Sequence, residues 1–184
     1  MQLAKGMIVV ALLAMAQTAG AQTVAAEVTP LDKAMGRDPD RFAARVADLI
    51  AGFGGPDGLT AAGIEEHIAL ERAAARATAT RRMLAMDLDA NGALDGAELA
   101  VSQRAASASG RGRLDRQFRT ADLDGDGLVS AEEIAADARA AGLRALDEEE
   151  AAMLRALLTL DRDSNSALSV EEIEAAAALA VEAG

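Results

Sequence analysis

Three twelve-residue segments of this chain carry oxygen-bearing side chains at the same five positions. They run from residue 87 to 98 (loop A), from 122 to 133 (loop B) and from 161 to 172 (loop C), with the oxygens at positions 1, 3, 5, 9 and 12. This spacing lets a loop wrap about seven oxygens around one Ca²⁺ ion, once the backbone carbonyl of position 7 is included. The chemistry that these residues indicate is therefore the coordination of calcium.

Each loop offers six candidate ligands, namely five side chains and the carbonyl at position 7. They are Asp87, Asp89, Asn91, Ala93, Asp95 and Glu98 in loop A, Asp122, Asp124, Asp126, Leu128, Ser130 and Glu133 in loop B, and Asp161, Asp163, Asn165, Ala167, Ser169 and Glu172 in loop C. Asp95 at position 9 is expected to act through water, and the glutamate at position 12 can bind with both oxygens. Bidentate glutamate suits the larger shell of Ca²⁺ better than that of octahedral Mg²⁺, so up to three calcium ions are predicted.

Loop C is predicted to be the weakest of the three sites. Position 6 requires a left-handed backbone, and it is Gly92 in loop A and Gly127 in loop B but Ser166 in loop C. A residue with a β-carbon loses roughly 1 to 2 kcal/mol in that conformation, which corresponds to about a tenfold weaker affinity if the calcium-free loop can relax. Loop C also offers three carboxylates, compared with four in each of the other loops.

Apolar residues flank every loop at the spacing of an amphipathic helix. They lie four residues before position 1, at position 8 and directly after position 12: Met83, Leu94 and Leu99 around loop A, Phe118, Val129 and Ile134 around loop B, and Leu157, Leu168 and Ile173 around loop C. Each loop is therefore expected to have an entering and an exiting helix. The alternative, simple acidic turns, does not account for the apolar residue at position 8.

This arrangement resembles the EF-hand family over residues 41–184. Dockerins are another family with calcium-binding loops, but they lack the entering helix that is predicted here. The resemblance implies an all-α fold of helix-loop-helix hands, paired in two lobes through short two-stranded contacts at position 8. A step of 35 residues back from loop A leads to residues 52–64, which keep Leu59 and Ile64 at the matching apolar positions but have no ligand set. We expect a degenerate first hand there, and a plain Gly/Pro loop is the alternative.

Pairing of consecutive hands predicts the domain order. Residues 41–106 would form an N-terminal pair that begins with the degenerate hand, and residues 113–184 would form a C-terminal pair. The Ser- and Gly-rich stretch 107–112 is expected to link the two lobes. Residues 22–40 contain two prolines and few periodic apolar residues, which predicts a mobile leader.

The N-terminus has the pattern of a secretory signal peptide over residues 1–21. A basic start is followed by an apolar run over residues 7–16 and by Ala19-Gly20-Ala21, an A-x-A cleavage signal. Cleavage is expected after Ala21, and the protein is expected to be periplasmic or secreted, in a bacterium. The apolar run is short compared with the about 20 residues of a membrane span, so no span is expected after cleavage; an uncleaved anchor is the alternative. Without cysteine, bound metal can take over the stabilising role of disulfides.

Composition narrows the possible functions. The formal net charge of −12 argues against nucleic acid as a partner. The chain is 51% hydrophobic but has only three aromatic residues, all phenylalanine, which predicts a helical core of small side chains. His67 is the one histidine, so neither a zinc site nor a catalytic triad is available. No catalytic or phosphate-binding motif is present, and an enzymatic role is not expected.

The leading hypothesis is an exported calcium-binding protein, in which calcium is buffered or stabilises the structure in the cell envelope. The alternative is a calcium sensor or adaptor that exposes an apolar groove and captures a helix of a partner protein when calcium binds. The two hypotheses differ in whether calcium decreases or increases the accessible apolar surface.

Overall fold

The computed structural model describes residues 29–183, so the predicted signal peptide and residues 22–28 lie outside the described residues. The described chain is built from helices and four two-residue strands. The helices are α1 Pro30–Arg37, α2 Pro39–Phe53, α3 Ala61–Leu84, α4 Gly96–Ala105, α5 Ala108–Ala121, α6 Ala131–Ala145, α7 Glu148–Ala156 and α8 Val170–Ala183, with a 3₁₀ turn at Leu157–Leu160. The strands are β1 Leu59–Thr60, β2 Leu94–Asp95, β3 Leu128–Val129 and β4 Ala167–Leu168. The all-α helix-loop-helix fold predicted from the sequence is confirmed.

Helices flank every loop in the predicted way. Loop A lies between α3 and α4, loop B between α5 and α6, and loop C between α7 with its 3₁₀ turn and α8. The degenerate loop connects α2 to α3 and contributes strand β1.

The strands pair in a nested order. Strand β1 pairs with β4, with Leu59 opposite Leu168, and β2 pairs with β3, with Leu94 opposite Val129. Both pairs are antiparallel and join residues at position 8 of their loops, as predicted. The predicted partners are wrong, however, because the degenerate hand pairs with the hand of loop C, and loop A pairs with loop B.

The continuity of α3 explains this order. It runs unbroken for 24 residues from the degenerate loop to loop A, and at 1.5 Å per residue it separates the two loops by about 36 Å. Strand β1 therefore cannot reach β2. Between loops A and B, by contrast, α4 and α5 are joined by Ala106 and Ser107 alone.

The predicted linker over residues 107–112 is accordingly not a linker. The Ser107 side chain accepts a hydrogen bond from the Gly110 amide at 3.2 Å and caps α5, which begins at Ala108. A serine before a short Gly-containing stretch signals a helix start as well as a break. The boundaries 41–106 and 113–184 therefore divide a helix-loop-helix pair at its tight turn.

Two apolar clusters follow the nested pairing. One is formed by the degenerate hand and the hand of loop C, and its largest fully buried side chains are Leu59, Ile64, Leu168 and Ile173. The other joins the hands of loops A and B around Met83, Leu94, Phe118, Val129 and Ile134. Between the clusters, α3 packs along α6, and Gly142 lies against the Arg72 backbone, where an added Cβ would be 3.1 Å from the Arg72 carbonyl oxygen. The two clusters themselves consist mainly of Leu, Ile, Val, Met and Phe, so the predicted core of small side chains is wrong there. Small residues lie instead at the contact between α3 and α6.

The leader is also more ordered than predicted in its described part. Thr29 and Asp32 form a reciprocal capping box that starts α1, and Leu31 is 4% exposed in the apolar cluster of the degenerate hand. Helix α1 packs against α2 and α8. The capped first turn, the buried Leu31 and the packing of α1 against two helices thus order a segment whose prolines suggested mobility.

Candidate metal sites

The aspartate at position 1 shapes each loop by accepting backbone hydrogen bonds. Its Oδ2 accepts from the amide of position 6 at 2.9 Å in loop A, 3.1 Å in loop B and 2.8 Å in loop C. The side chain at position 5 then accepts from the amide of position 7 at 2.8 Å in all three loops. These contacts curl the backbone so that the remaining carboxylate oxygens point to a common centre.

The glutamate at position 12 closes the loop from the exiting helix. One oxygen accepts from the amide of position 2 at 2.7 Å for Glu98, 2.6 Å for Glu133 and 2.7 Å for Glu172. The other accepts from the amide of position 9 at 3.0, 2.9 and 2.9 Å. The two ends of each loop are therefore tied together by the predicted bidentate ligand.

These amides also keep two of the glutamates ionised. Hydrogen bonds from the backbone of Ser169 and Arg162 lower the pKa of Glu172 to about 2. The backbone of Ser130 and Leu123 lowers the pKa of Glu133 from its ordinary value. Calcium needs the deprotonated carboxylate, so both groups are in the binding form at neutral pH.

Carboxylates converge at the centre of each loop. Three groups have ligand atoms that all lie within 4.8 Å of one another: Asp87, Asp89 and Glu98; Asp122, Asp124 and Asp126; and Asp161, Asp163 and Glu172. Like charges held this closely repel one another unless a cation lies between them. All donors are oxygens, which is the set preferred by Ca²⁺.

Glu98 gives an independent test of this fit. It is 8% exposed and is the one charged residue buried among those described. It forms no salt bridge within residues 29–183. A buried carboxylate is costly without a compensating charge, and a divalent ion in loop A would supply that charge.

Some predicted ligands have other contacts in the structure. Asp95 lies outside the acidic group of loop A and caps α4, because its Oδ1 accepts from the Ala97 and Glu98 amides at 2.8 and 2.9 Å. The hydroxyls of Ser130 and Ser169 bond to the position 12 glutamate at 3.0 and 2.8 Å. A position 9 residue that caps the exiting helix is compatible with the predicted contact through water. The full ligand set, including the carbonyls at position 7, stays a prediction.

A second left-handed position in each loop was missed by the sequence reasoning. Position 4 has a positive φ in every loop, as position 6 does: it is Ala90 at 60° in loop A, Gly125 at 74° in loop B and Ser164 at 61° in loop C. Position 6 has φ values of 83°, 87° and 70°. Loop B has glycine at both positions, loop A at one and loop C at neither. In the sequence, only Gly125 indicated a left-handed residue at position 4. The number of glycines at these two positions predicts that backbone strain is lowest in loop B, higher in loop A and highest in loop C.

Comparison with known proteins gives one short match. A family model described as EF hand matches residues 114–136, which contain the second half of α5, loop B and the first turn of α6. No curated protein and no solved structure gives a significant match. The match falls on the loop that combines four carboxylates with two glycines.

Helix-loop-helix units with position 8 strand contacts, together with the matched segment and the acidic groups, support an EF-hand calcium-binding protein. Within residues 29–183, no helix combines the length and the apolar character that a membrane crossing requires.

Proposed function

We propose that this chain is an exported calcium-binding protein of the cell envelope, in which calcium is buffered or stabilises the fold. The main support for this proposal is that each of the three loops contains a cluster of three carboxylates. Within each cluster the ligand atoms lie within 4.8 Å of one another, and each loop is closed by a glutamate at position 12. The signal-peptide pattern of residues 1–21 supports export. N-terminal sequencing of the mature protein is expected to begin at Gln22.

Calcium in this role acts mainly through mass action. At about 1 mM calcium, sites with a Kd of about 10 μM are about 99% filled, and each adds about 2.7 kcal/mol to the free energy of unfolding. Sites that remain full do not report changes in calcium. A stabilising role therefore needs only affinities well below the ambient concentration.

Calorimetric titration of calcium into the metal-free chain tests the proposal. Glu133→Gln removes one bidentate anionic ligand and is expected to weaken loop B roughly a hundredfold. Glu132→Gln is the matched control, because it makes the same charge change on an exposed neighbour in the same helix turn. Absence of calcium binding by the parent chain, or equal losses in both variants, would contradict the proposal.

The sensor alternative is favoured by one cavity. A space of about 460 Å³ in the pair formed by the degenerate hand and the hand of loop C is lined mainly by apolar side chains from α2 and α7, including Phe42, Leu49, Phe53 and Met153. Such a surface could accept an apolar side chain of a partner helix. A dye that fluoresces on apolar surface discriminates the two functions: calcium is expected to lower its signal for a stabilised protein and to raise it for a sensor.

A further inference from the structure

Four arginines line one cleft of this acidic protein. The cleft has a volume of about 500 Å³ and lies between α3, α5 and α6. Its arginines are Arg82 on α3, Arg113 and Arg116 on α5, and Arg144 on α6. The whole sequence has a formal net charge of −12, so the cleft is a positively charged region on an acidic protein.

Helix periodicity places these side chains on faces that meet. Positions 113, 116, 117 and 120 share one face of α5, and positions 137, 141 and 144 share one face of α6. The uncharged lining consists of Ala79, Ala141, Gln117 and Thr120. The cleft therefore combines small residues, which leave room, with the Thr120 hydroxyl and the Gln117 side-chain amide, whose nitrogen also donates a hydrogen bond to Met83 Sδ at 3.5 Å.

The positive charge in the cleft is largely uncompensated. Asp137 is the one carboxylate in its lining, and its Oδ1 accepts a hydrogen bond from Arg144 at 3.3 Å. Arg82, Arg113 and Arg116 form no salt bridge with any carboxylate of residues 29–183. All four arginines are exposed, so their guanidinium groups are accessible to a ligand.

We propose that this cleft binds a small sugar or polyol that carries two or more phosphate or sulfate groups. Guanidinium groups form forked, charge-assisted hydrogen bonds with such oxyanions. The arginines come from three helices, and the two on α5 are already about 4.5 Å apart along the helix axis. We therefore expect a ligand with two anionic groups to engage arginines on more of these helices than a single group does. The cleft volume lies within the range of small-molecule sites.

Titration calorimetry with three related ligands tests the proposal. Fructose 1,6-bisphosphate, inorganic phosphate and fructose are titrated into the purified chain in calcium-free buffer, so that no phosphate is bridged by bound calcium. Salt at about 0.1 M gives a Debye length of about 10 Å and weakens repulsion of the ligand by the acidic loops. The bisphosphate is expected to bind at least about tenfold more tightly than phosphate, because a second charge-assisted contact forms, and fructose is expected not to bind.

Arginine variants locate the binding. Arg113→Gln and Arg116→Gln are each expected to weaken bisphosphate binding about three- to tenfold. Arg139→Gln is the matched control, since Arg139 is an exposed arginine of α6 that does not line the cleft; less than a twofold change is expected there. Unchanged far-ultraviolet circular dichroism and unchanged calcium titration establish that each variant is folded and separate this result from a failure of the calcium proposal.

Several outcomes would overturn the assignment. Equal affinities for the bisphosphate and phosphate would do so, as would absence of binding at millimolar ligand or an Arg139→Gln effect equal to that of Arg113→Gln. Co-sedimentation with vesicles containing phosphatidylinositol phosphates distinguishes the source of the anion. Arginine-dependent sedimentation without binding of the free bisphosphate would replace the small ligand by a lipid headgroup.

Discussion

Exchange of serine and glycine at position 6 tests how backbone strain sets the strength of the calcium loops. Ser166 in loop C has a φ of 70°, and Gly127 at the same position of loop B has a φ of 87°. Ser166→Gly removes a left-handed residue with a β-carbon, and Gly127→Ser introduces one. Open space surrounds the Cβ position of Gly127 within 4 Å, so the second change is limited to backbone strain.

The magnitude follows from two opposing effects. Glycine relieves roughly 1 to 2 kcal/mol of left-handed strain, but it also increases the entropy of the unordered chain by about 0.4 to 1 kcal/mol. The net gain for Ser166→Gly is about 1 kcal/mol, or about fivefold in an equilibrium constant. Gly127→Ser should lose about the same amount.

Two measurements together capture this gain. If loop C orders only when calcium binds, the gain appears as about fivefold tighter binding in a chelator-competition titration. If the loop is ordered without calcium, it appears as about 1 kcal/mol of added stability in urea denaturation of the metal-free chain. Gly96→Ser is the control, because Gly96 lies in α4 without a positive φ and with no atom near its Cβ position. Neutral results for both Ser166→Gly and Gly127→Ser in both assays would refute the reasoning.

Two further changes test the pairing of the hands and one ion pair. Leu59→Ala removes a fully buried side chain opposite Leu168, so we expect the free energy of unfolding to fall by about 2 to 5 kcal/mol. Residue-resolved NMR should show that calcium binding weakens in loop C and not in loop A. Weakening of loop A alone would contradict the nested order of strand pairing. Arg155 donates two hydrogen bonds to Glu65, at 2.5 and 3.0 Å, and lowers the pKa of that carboxyl. A lowered pKa stabilises the fold above the ordinary pKa of glutamate, and this stabilisation is lost as the pH falls through the folded value. In thermal unfolding of the metal-free chain, the Glu65→Gln variant should therefore have a lower melting temperature than the parent at pH 7. This difference should shrink as the pH is lowered. A difference that does not change with pH would mean that the charge of Glu65 is not its cause.

The calcium loops were predictable because their chemistry is local. Ligand spacing, the position 8 apolar residue and the flanking helices are all set within about 25 residues of one another, and the structure brings three of these acidic groups together as expected. Position 4 also requires a left-handed backbone, but only loop B has glycine there, at Gly125. Ala90 and Ser164 gave no signal because alanine and serine are also ordinary helix and turn residues.

The order of pairing was not predictable from the loops, because it depends on the connections between them. The Ala77-Thr78-Ala79-Thr80 stretch could end a helix or continue it, since threonine weakens a helix without breaking it. Burial of Ala79 and the packing of α3 along α6, with Gly142 against Arg72, favour continuation. Those contacts involve residues about 60 to 70 positions apart, and no local pattern encodes them. Once α3 is continuous, the degenerate loop is held far from loop A, and its exposed strand edge must pair with the remaining hand, that of loop C.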